Sequence, residues 1–393
     1  MFENMIAKRV IGLGTEKAFE VLSKCKELEA QGKNIIHLQI GEPDFDTPKN
    51  IVEAGVNALR NGYTHYTPNS GMIEVKQAIV DYVKKYRNIE TDKDEVVVVP
   101  GGKPTMFFTI LALVESGDEV IYPNPGYPIY ESLIRFVGGV PVPMPLVEEN
   151  DFRVNIEDLS KKITSKTKMI IINSPANPTG GILTKDDLSQ IADLIRGKGI
   201  FVLSDEIYSR IVYDGDPVSI ATMPGMKDYT IILDGFSKTY AMTGWRLGFG
   251  IMHKEIAKKV DRLIANSTSN TAAFTQLAGK EALEGPQTDV DNMIAEFRRR
   301  RDYIVDRLNS IEGISCKKPE GAFYVFPNIK GTGLKSEALA DYLLNEANVA
   351  VLDGASFGEY GEGHIRLSYA TSMENIEEAL NRIEKALKLL KNK

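Results

Sequence analysis

Residues 169–205 read MIIINSPANPTGGILTKDDLSQIADLIRGKGIFVLSD, with an apolar run at each end and a helical segment between them. The runs MIIIN (169–173) and IFVLS (200–204) are apolar at nearly every position, which is typical of strands buried on both faces. Residues 185–197 follow Thr184, a favourable helix N-cap. A strand, a helix and a second strand in this order indicate a βαβ unit with parallel strands.

The same alternation continues on both sides of this unit. Apolar runs predict further strands at 95–99, 119–122, 230–234 and 246–251, and a helix is expected over 103–116, with Gly117 as its C′ residue. The pattern predicts an α/β fold, in which a three-layer αβα domain over residues 49–286 is built on a mostly parallel sheet.

The two ends of the chain have a different pattern. Residues 16–30 form one amphipathic helix closed by Gly32. After residue 287 we expect a long charged helix, short strands at 322–326 and 364–369, and helices at 336–347 and 373–390. We therefore predict a smaller α+β domain made from both termini, residues 1–48 and 287–393.

Composition excludes several classes of protein. The 393 residues include 47 Lys and Arg against 54 Asp and Glu, a net charge of −7, which argues against binding to nucleic acid. The basic run Arg298–Arg301 is interpreted as a solvated helix face. Cys25 and Cys316 form no CxxC pattern and HExxH is absent, so neither a disulfide framework nor a metal site is expected.

The N-terminus MFENMIAKRV lacks the apolar core of a signal peptide, and runs such as VVVV (96–99) are too short to cross a bilayer. We expect a cytoplasmic protein with no membrane partner.

Polar residues with catalytic chemistry follow several of the predicted strands. Lys238 comes shortly after 230–234, and a buried lysine at a strand end can act as a nucleophile, whereas a surface lysine would not. Asp205 ends the strand at 200–204, where it could hold a metal or pair with a buried cation. Gly101-Gly102-Lys103 joins a strand to a helix and could bind an anion. It is not the phosphate loop of an NTPase, because Val97 replaces the first glycine.

Two further residues have open interpretations. Asn177 lies in an Asn-Pro loop, which is either a plain turn or a rigidly presented amide. Arg366 lies in the apolar strand HIRLSYA (364–370) and needs an anionic partner. That partner is either a structural carboxylate or a substrate carboxylate bound bidentately.

Together these motifs closely resemble those of the class I aminotransferases, the aspartate aminotransferase family of enzymes that use pyridoxal 5′-phosphate (PLP). The resemblance covers nearly the whole chain, from GEPDFDTP (41–48) to HIRLSYA. Its most specific parts are NSPANPTG (173–180), SDEIY (204–208) and SKTYAMTGWRLG (237–248).

The resemblance implies a role for each matched residue. Lys238 would form a Schiff base with PLP and then move the substrate Cα proton. Asp205 would pair with the pyridinium nitrogen. The other cofactor-binding residues would be Gly102, Lys103, Tyr127, Asn177, Tyr208, Ser237 and Arg246. Arg366 would bind the substrate α-carboxylate with Asn177 and the backbone of Gly41. Tyr66 would reach the phosphate of a neighbouring subunit, which implies a homodimer.

The substrate is less determined than the cofactor. Residues 266–272 contain no counterpart of the distal arginine that some relatives use for acidic side chains. Lys103 matches a lysine of certain bacterial relatives and could hold a second carboxylate. We expect aspartate or another acidic amino acid as donor and 2-oxoglutarate as acceptor. Aromatic, alanine or broad specificity stays open, as do a β-lyase and a binding module on the same fold.

Overall fold

The computed structural model describes residues 5–215 and 218–391. Its strands are β1 (Ile36–His37), β2 (Val96–Val99), β3 (Glu119–Asn124), β4 (Val140–Pro145), β5 (Thr167–Asn173), β6 (Phe201–Asp205), β7 (Thr230–Gly235), β8 (Gly248–Ile251), β9 (Tyr324–Val325), β10 (Val349–Ala350), β11 (Leu352–Asp353) and β12 (Ile365–Ser368). Its α-helices are α1 (Lys8–Ile11), α2 (Lys17–Ala30), α3 (Lys49–Arg60), α4 (Ile73–Arg87), α5 (Lys103–Leu113), α6 (Ile129–Phe136), α7 (Ile156–Lys162), α8 (Lys185–Ile195), α9 (Lys254–Ala265), α10 (Ala273–Glu284), α11 (Thr288–Ser310), α12 (Ser336–Tyr342) and α13 (Met373–Lys391).

The largest sheet has seven strands in the order β2-β8-β7-β6-β5-β3-β4. β8 runs antiparallel to β2 and β7, and the other neighbours in the sheet are parallel. The carboxyl ends of β2, β5, β6 and β7 therefore lie at one edge. This confirms the predicted mostly parallel sheet.

Helices cover both faces of the large sheet. Val96 and Val98 share a core with residues of α4 and α10, while Val97 and Val99 share another with residues of α5 and α9. All four valines are buried because successive side chains of a strand point to opposite faces. The predicted three-layer arrangement is thus confirmed.

The two termini meet in a separate core. β1 pairs in parallel with β10, and β9, β11 and β12 form a small antiparallel sheet. Ile36 and Leu38 pack in one cluster with buried side chains of α11 and α13. The predicted α+β part built from both ends is therefore present, whereas its exact boundaries remain a prediction.

Some local predictions are wrong. The helix expected over 103–116 ends at Leu113, and Gly117 lies in a later turn. The strand expected over 246–251 begins at Gly248, because Arg246 adopts a left-handed conformation with φ 54°. The solvated-face interpretation fails for Arg300 and Arg301. Their buried guanidinium groups form ion pairs, for example with Asp44 and Asp214.

No α-helix in the described part of the chain is long and apolar enough to cross a membrane.

Candidate active site

A cavity of about 510 Å³ opens at the carboxyl edge of the large sheet. Asp205 ends β6, Asn177 lies in the loop after β5, and Lys238 follows β7 by three residues. Ligands in open α/β sheets bind at this edge, where the strand ends bring distant segments together. The small sheet also lines the cavity, through Tyr324 of β9 and Arg366 of β12.

Eleven of the twelve predicted site residues line this one cavity. They are Gly41, Gly102, Lys103, Tyr127, Asn177, Asp205, Tyr208, Ser237, Lys238, Arg246 and Arg366. Tyr66 is the exception. Its side chain is 89% exposed and lines a separate surface cavity with Tyr63, His65 and Ile73.

Lys238 lines the cavity and is partly buried. Its Nζ donates a hydrogen bond to the carbonyl oxygen of Gly41 at 2.5 Å. Burial lowers the pKa of Lys238 to about 8, although the charges of Glu42 and Glu16 act in the opposite direction. A substantial fraction of this amine is therefore neutral near pH 8, as a nucleophile or a base requires.

Asp205 is a buried carboxylate with neutral hydrogen-bond donors. Its Oδ2 accepts from the Tyr130 hydroxyl at 2.6 Å, and its Oδ1 accepts from the backbone amide of Ile207 at 3.2 Å. Burial raises the pKa of Asp205 to about 6 in spite of these bonds. A cationic ligand at the cavity floor would compensate for the cost of burying this charge.

A buried ionic network lies behind Asp205 and connects α4 with β6 and β7. Arg87 contacts Glu206 at 2.6 Å and Asp234 at 2.7 Å. Ser204 and Ser219 donate hydrogen bonds to the other oxygen of Glu206. Removing one member would leave an uncompensated buried charge, so the network fixes the strand ends that carry the site.

Arg366 presents a buried guanidinium to the cavity. It donates to Asn177 Oδ1 at 3.2 Å and to the carbonyl oxygen of Gln39, both neutral oxygens, and its Nε has no partner among the described residues. Burial lowers the pKa of Arg366. Among the residues that the structure describes, no carboxylate pairs with Arg366, which favours a carboxylate on the ligand.

Aromatic side chains surround Arg366. Its guanidinium lies 4.5 Å from the ring centroid of Tyr324 and 5.1 Å from that of Phe357. The Tyr324 hydroxyl is 2.8 Å from the hydroxyl of Tyr208, which places the two phenols in one hydrogen-bonded pair at the cavity wall. Burial raises the pKa of Tyr208 well above its usual range. Both phenols are therefore protonated and can donate hydrogen bonds.

Arg246 is a second arginine that lines the cavity. Its Nη1 donates to the carbonyl oxygen of Thr243 at 2.9 Å. The guanidinium lies directly against Gly101, where a Cβ atom would come within 2.1 Å of Nη2. Gly102 follows as the N-cap of α5, and Ser237 lies nearby on the cavity wall. A cation beside a helix N-terminus is a suitable environment for a phosphate group.

Lys103 and Tyr127 converge on a residue that sequence analysis missed. Glu16, the N-cap of α2, accepts hydrogen bonds through Oε1 from Lys103 Nζ and from the Tyr127 hydroxyl, the latter at 2.7 Å. Glu16 has no sequence signal, because it is an ordinary polar residue before a helix.

Tyr130 and Tyr324 were missed as well. Tyr130 lies in the first turn of α6, three residues after Tyr127, which precedes the helix, and the two rings meet edge to face with their centroids 5.6 Å apart. The sequence signal for Tyr130 is its position three residues after Tyr127. Tyr324 lies in the short strand β9, more than 100 residues from the tyrosine it contacts, and nothing local marks it.

In the described residues, no group of three or more His, Cys, Asp or Glu side chains could hold a metal ion.

Comparison with known proteins gives consistent results. The family model described as aminotransferase class I and II matches residues 33–383. The chain is 43% identical over 384 residues to an aspartate aminotransferase of Pyrococcus horikoshii, with 97% of each chain covered. It is also 43% identical over 364 residues to aromatic-amino-acid aminotransferase 2 of Thermococcus litoralis, covering 91% of this chain and 93% of that one.

Solved structures share the whole fold. The crystal structure of Pyrococcus protein A1 superposes with a TM-score of 0.94 at 41% identity, and 98% of each chain is covered.

Proposed function

Because the chain belongs to the class I and II aminotransferases, we propose that it transfers the amino group of aspartate or another acidic amino acid to a 2-oxo acid such as 2-oxoglutarate, with Lys238 bonding the cofactor. Membership of this family makes the chain a PLP-dependent transferase. The observation that carries the proposal is the convergence of Lys238, Asp205 and Arg366 on one cavity.

The residues of the cavity fit PLP. Asp205 is a buried carboxylate suited to a protonated ring nitrogen. Arg246 beside Gly101 forms a basic cradle that a Cβ atom on Gly101 would fill. Lys238 supplies a buried amine of lowered pKa for the aldehyde. We propose that Gly102, Lys103, Tyr127, Asn177, Tyr208 and Ser237 complete the binding of the cofactor.

The cofactor supplies an aldehyde for the substrate amine and a ring that withdraws electrons from the substrate Cα–H bond. Lys238 Nζ, once free, accepts and returns the Cα proton, for which its pKa of about 8 is well matched. Arg366 binds the α-carboxylate through its guanidinium, whose Nε has no partner among the described residues and whose other two nitrogens donate to neutral oxygens. Asn177 and the backbone of Gly41 hold that carboxylate in place.

Acidic specificity is proposed from Lys103. Lys103 lines the cavity, and a cation there can pair with a second substrate carboxylate. The aromatic side chains Phe19 and Tyr127 also line the cavity, and one relative is named for aromatic amino acids, so aromatic specificity is the second candidate.

We also propose that two copies form a homodimer in which Tyr66 reaches the partner's site. The exposure of Tyr66 and its absence from the cavity of its own chain support this. The division into residues 49–286 and a part made of 1–48 with 287–393 is likewise a proposal, supported by the β1–β10 pairing. A cytoplasmic location stays a prediction.

The visible absorption spectrum of the purified holoenzyme tests the function. Single amino acids are added without any 2-oxo acid, beginning with L-aspartate. We expect the cofactor band to convert to that of the amine form, because the half-reaction leaves the amino group on the cofactor. A response to phenylalanine or alanine but not to aspartate would overturn the acidic specificity. A protein that does not take up PLP would overturn the role of Lys238.

A further inference from the structure

Glu16 brings a negative charge into the part of the cavity where Lys103 lies. Its side chain is 21% exposed, and Oε1 accepts hydrogen bonds from both Lys103 and Tyr127. Within the described residues, Glu16 is the carboxylate that pairs with Lys103. The cation assigned to a substrate's second carboxylate therefore already has an anionic partner in the protein.

The chain on either side of Glu16 is tied to the body of the molecule. The backbone amide of Gly14 donates to Ser132 Oγ at 2.8 Å. Lys17 forms ion pairs at 2.9 Å with Glu337 and with the buried Asp353. These anchors hold the backbone at residue 16 at the cavity wall.

The charge of Glu16 reaches the reacting groups. It raises the pKa of Lys238 and that of Arg366 against the effect of burial. Glu16 therefore lies within electrostatic range of the positions where the amine and the α-carboxylate of a substrate would be bound.

We propose that Glu16 determines substrate selectivity by competing with the second carboxylate of an acidic substrate for Lys103. With a neutral or aromatic side chain in the cavity, Glu16 stays paired with Lys103 and Tyr127. An acidic side chain must displace Glu16, because two carboxylates cannot share this cation at no cost. This inference rests on the proposed function, since it takes Lys103 as the residue that binds the second carboxylate.

The consequence is a cavity that accepts both classes of substrate. Glu16 neutralises Lys103 when the ligand brings no charge, so a neutral or aromatic side chain enters the cavity without breaking this ion pair. The same residue weakens the binding of dicarboxylates, because the ion pair must break first. Glu16 is thus a specificity-determining residue of the cavity.

The test is calorimetric binding of two unreactive ligands to the holoenzyme. Succinate has two carboxylates, and 3-phenylpropionate has one carboxylate and an aromatic end. For Glu16→Gln we expect succinate to bind about tenfold more tightly, because a like-charge neighbour is removed. The affinity for 3-phenylpropionate should change by less than about threefold, since it does not require Lys103.

Two further variants separate the possible outcomes. Glu20→Gln makes the same charge change one turn further along α2, at an exposed position outside the cavity, and should leave both affinities unchanged. Lys103→Gln should weaken the binding of succinate about tenfold. If Lys103→Gln weakens the binding of succinate while Glu16→Gln leaves it unchanged, the proposed role of Glu16 is wrong and the proposed function stands. If Lys103→Gln has no effect, acidic recognition by Lys103 is wrong, and the competition falls with it.

Discussion

The buried carboxylate of Asp205, proposed to bind the cofactor, lowers the stability of the cofactor-free protein. It is buried, its hydrogen-bond donors are neutral, and its pKa is raised to about 6 from the usual 3.8. Between these two pH values the folded chain binds more protons than the unfolded chain. The stability of the cofactor-free protein therefore falls as the pH rises through this window, and the full cost is present above pH 6.

We predict that Asp205→Asn stabilises the cofactor-free protein at pH 8 while weakening its binding of PLP. The gain over the wild type should grow by up to about 3 kcal/mol between pH 4 and pH 8, which is the cost of a shift of roughly two pKa units. The pKa of Asp234 is raised as well, but Asp234 is present in both proteins, so its contribution cancels from the difference in stability. The measurement is urea unfolding at both pH values, and an equal gain at the two would contradict the prediction.

At this scale, the sequence predicts residues that lie in local motifs and misses those brought together by the fold. Asp205 and Lys238 follow apolar strands, so their position at one sheet edge can be inferred. Glu16 contacts Lys103 across 87 positions of the chain, and Tyr324 contacts Tyr208 across 116. No local pattern records such a contact, because it depends on the packing of the termini against the large sheet.

At the scale of elements, buried strands are the most predictable. The central residues of β5 and the first three residues of β6 are apolar, because helices cover both faces of the sheet. The start of α8 is also as expected, since Thr184 caps it and forms a capping box with Asp187. β4 reads VPVPMP and was not predicted as a strand. It is the edge strand of the large sheet, where proline does not remove a required hydrogen bond.

The closeness of β8 to the loop after β2 gives a prediction for these elements. A Cβ atom on Gly248 would lie 2.6 Å from the carbonyl carbon of Gly101 and 2.7 Å from the nitrogen of Gly102. Both of these neighbours are backbone atoms, so neither can move away by a side-chain rotation. We expect Gly248→Ala to displace this loop, to cost about 1–3 kcal/mol in overpacking and to lower the affinity for PLP.

The measurement is the affinity for PLP together with the midpoint of thermal unfolding. Gly12→Ala is the matched control, because a Cβ atom there meets nothing within 4 Å and the backbone has φ −88°. The control should resemble the wild type in both measurements. Unchanged PLP affinity in Gly248→Ala would show that the loop does not contact the cofactor.

At the scale of the whole molecule, the surface around Tyr66 lacks a partner within the described chain. Leu59, Tyr63, Tyr66 and Ile73 are all large, apolar or aromatic, and more than 40% exposed. An exposed patch of this kind is typical of a protein interface. A second copy of the chain is the proposed occupant, since the resemblance assigns Tyr66 to the neighbouring subunit's phosphate.

Subunit complementation tests this arrangement. Tyr66→Phe should weaken PLP binding roughly tenfold or more, because it removes a hydrogen bond to a charged group. Lys238→Ala should be inactive, because it lacks the reacting amine.

After subunit exchange between the two variants, a mixed dimer has one site with both Lys238 and the partner's Tyr66 intact. At a PLP concentration that leaves Tyr66→Phe empty, an equal mixture should regain about a quarter of the wild-type sites, as random pairing of two subunits predicts. If Tyr66 served the site of its own chain, mixing would restore nothing, since each intact Lys238 would remain with Phe at position 66.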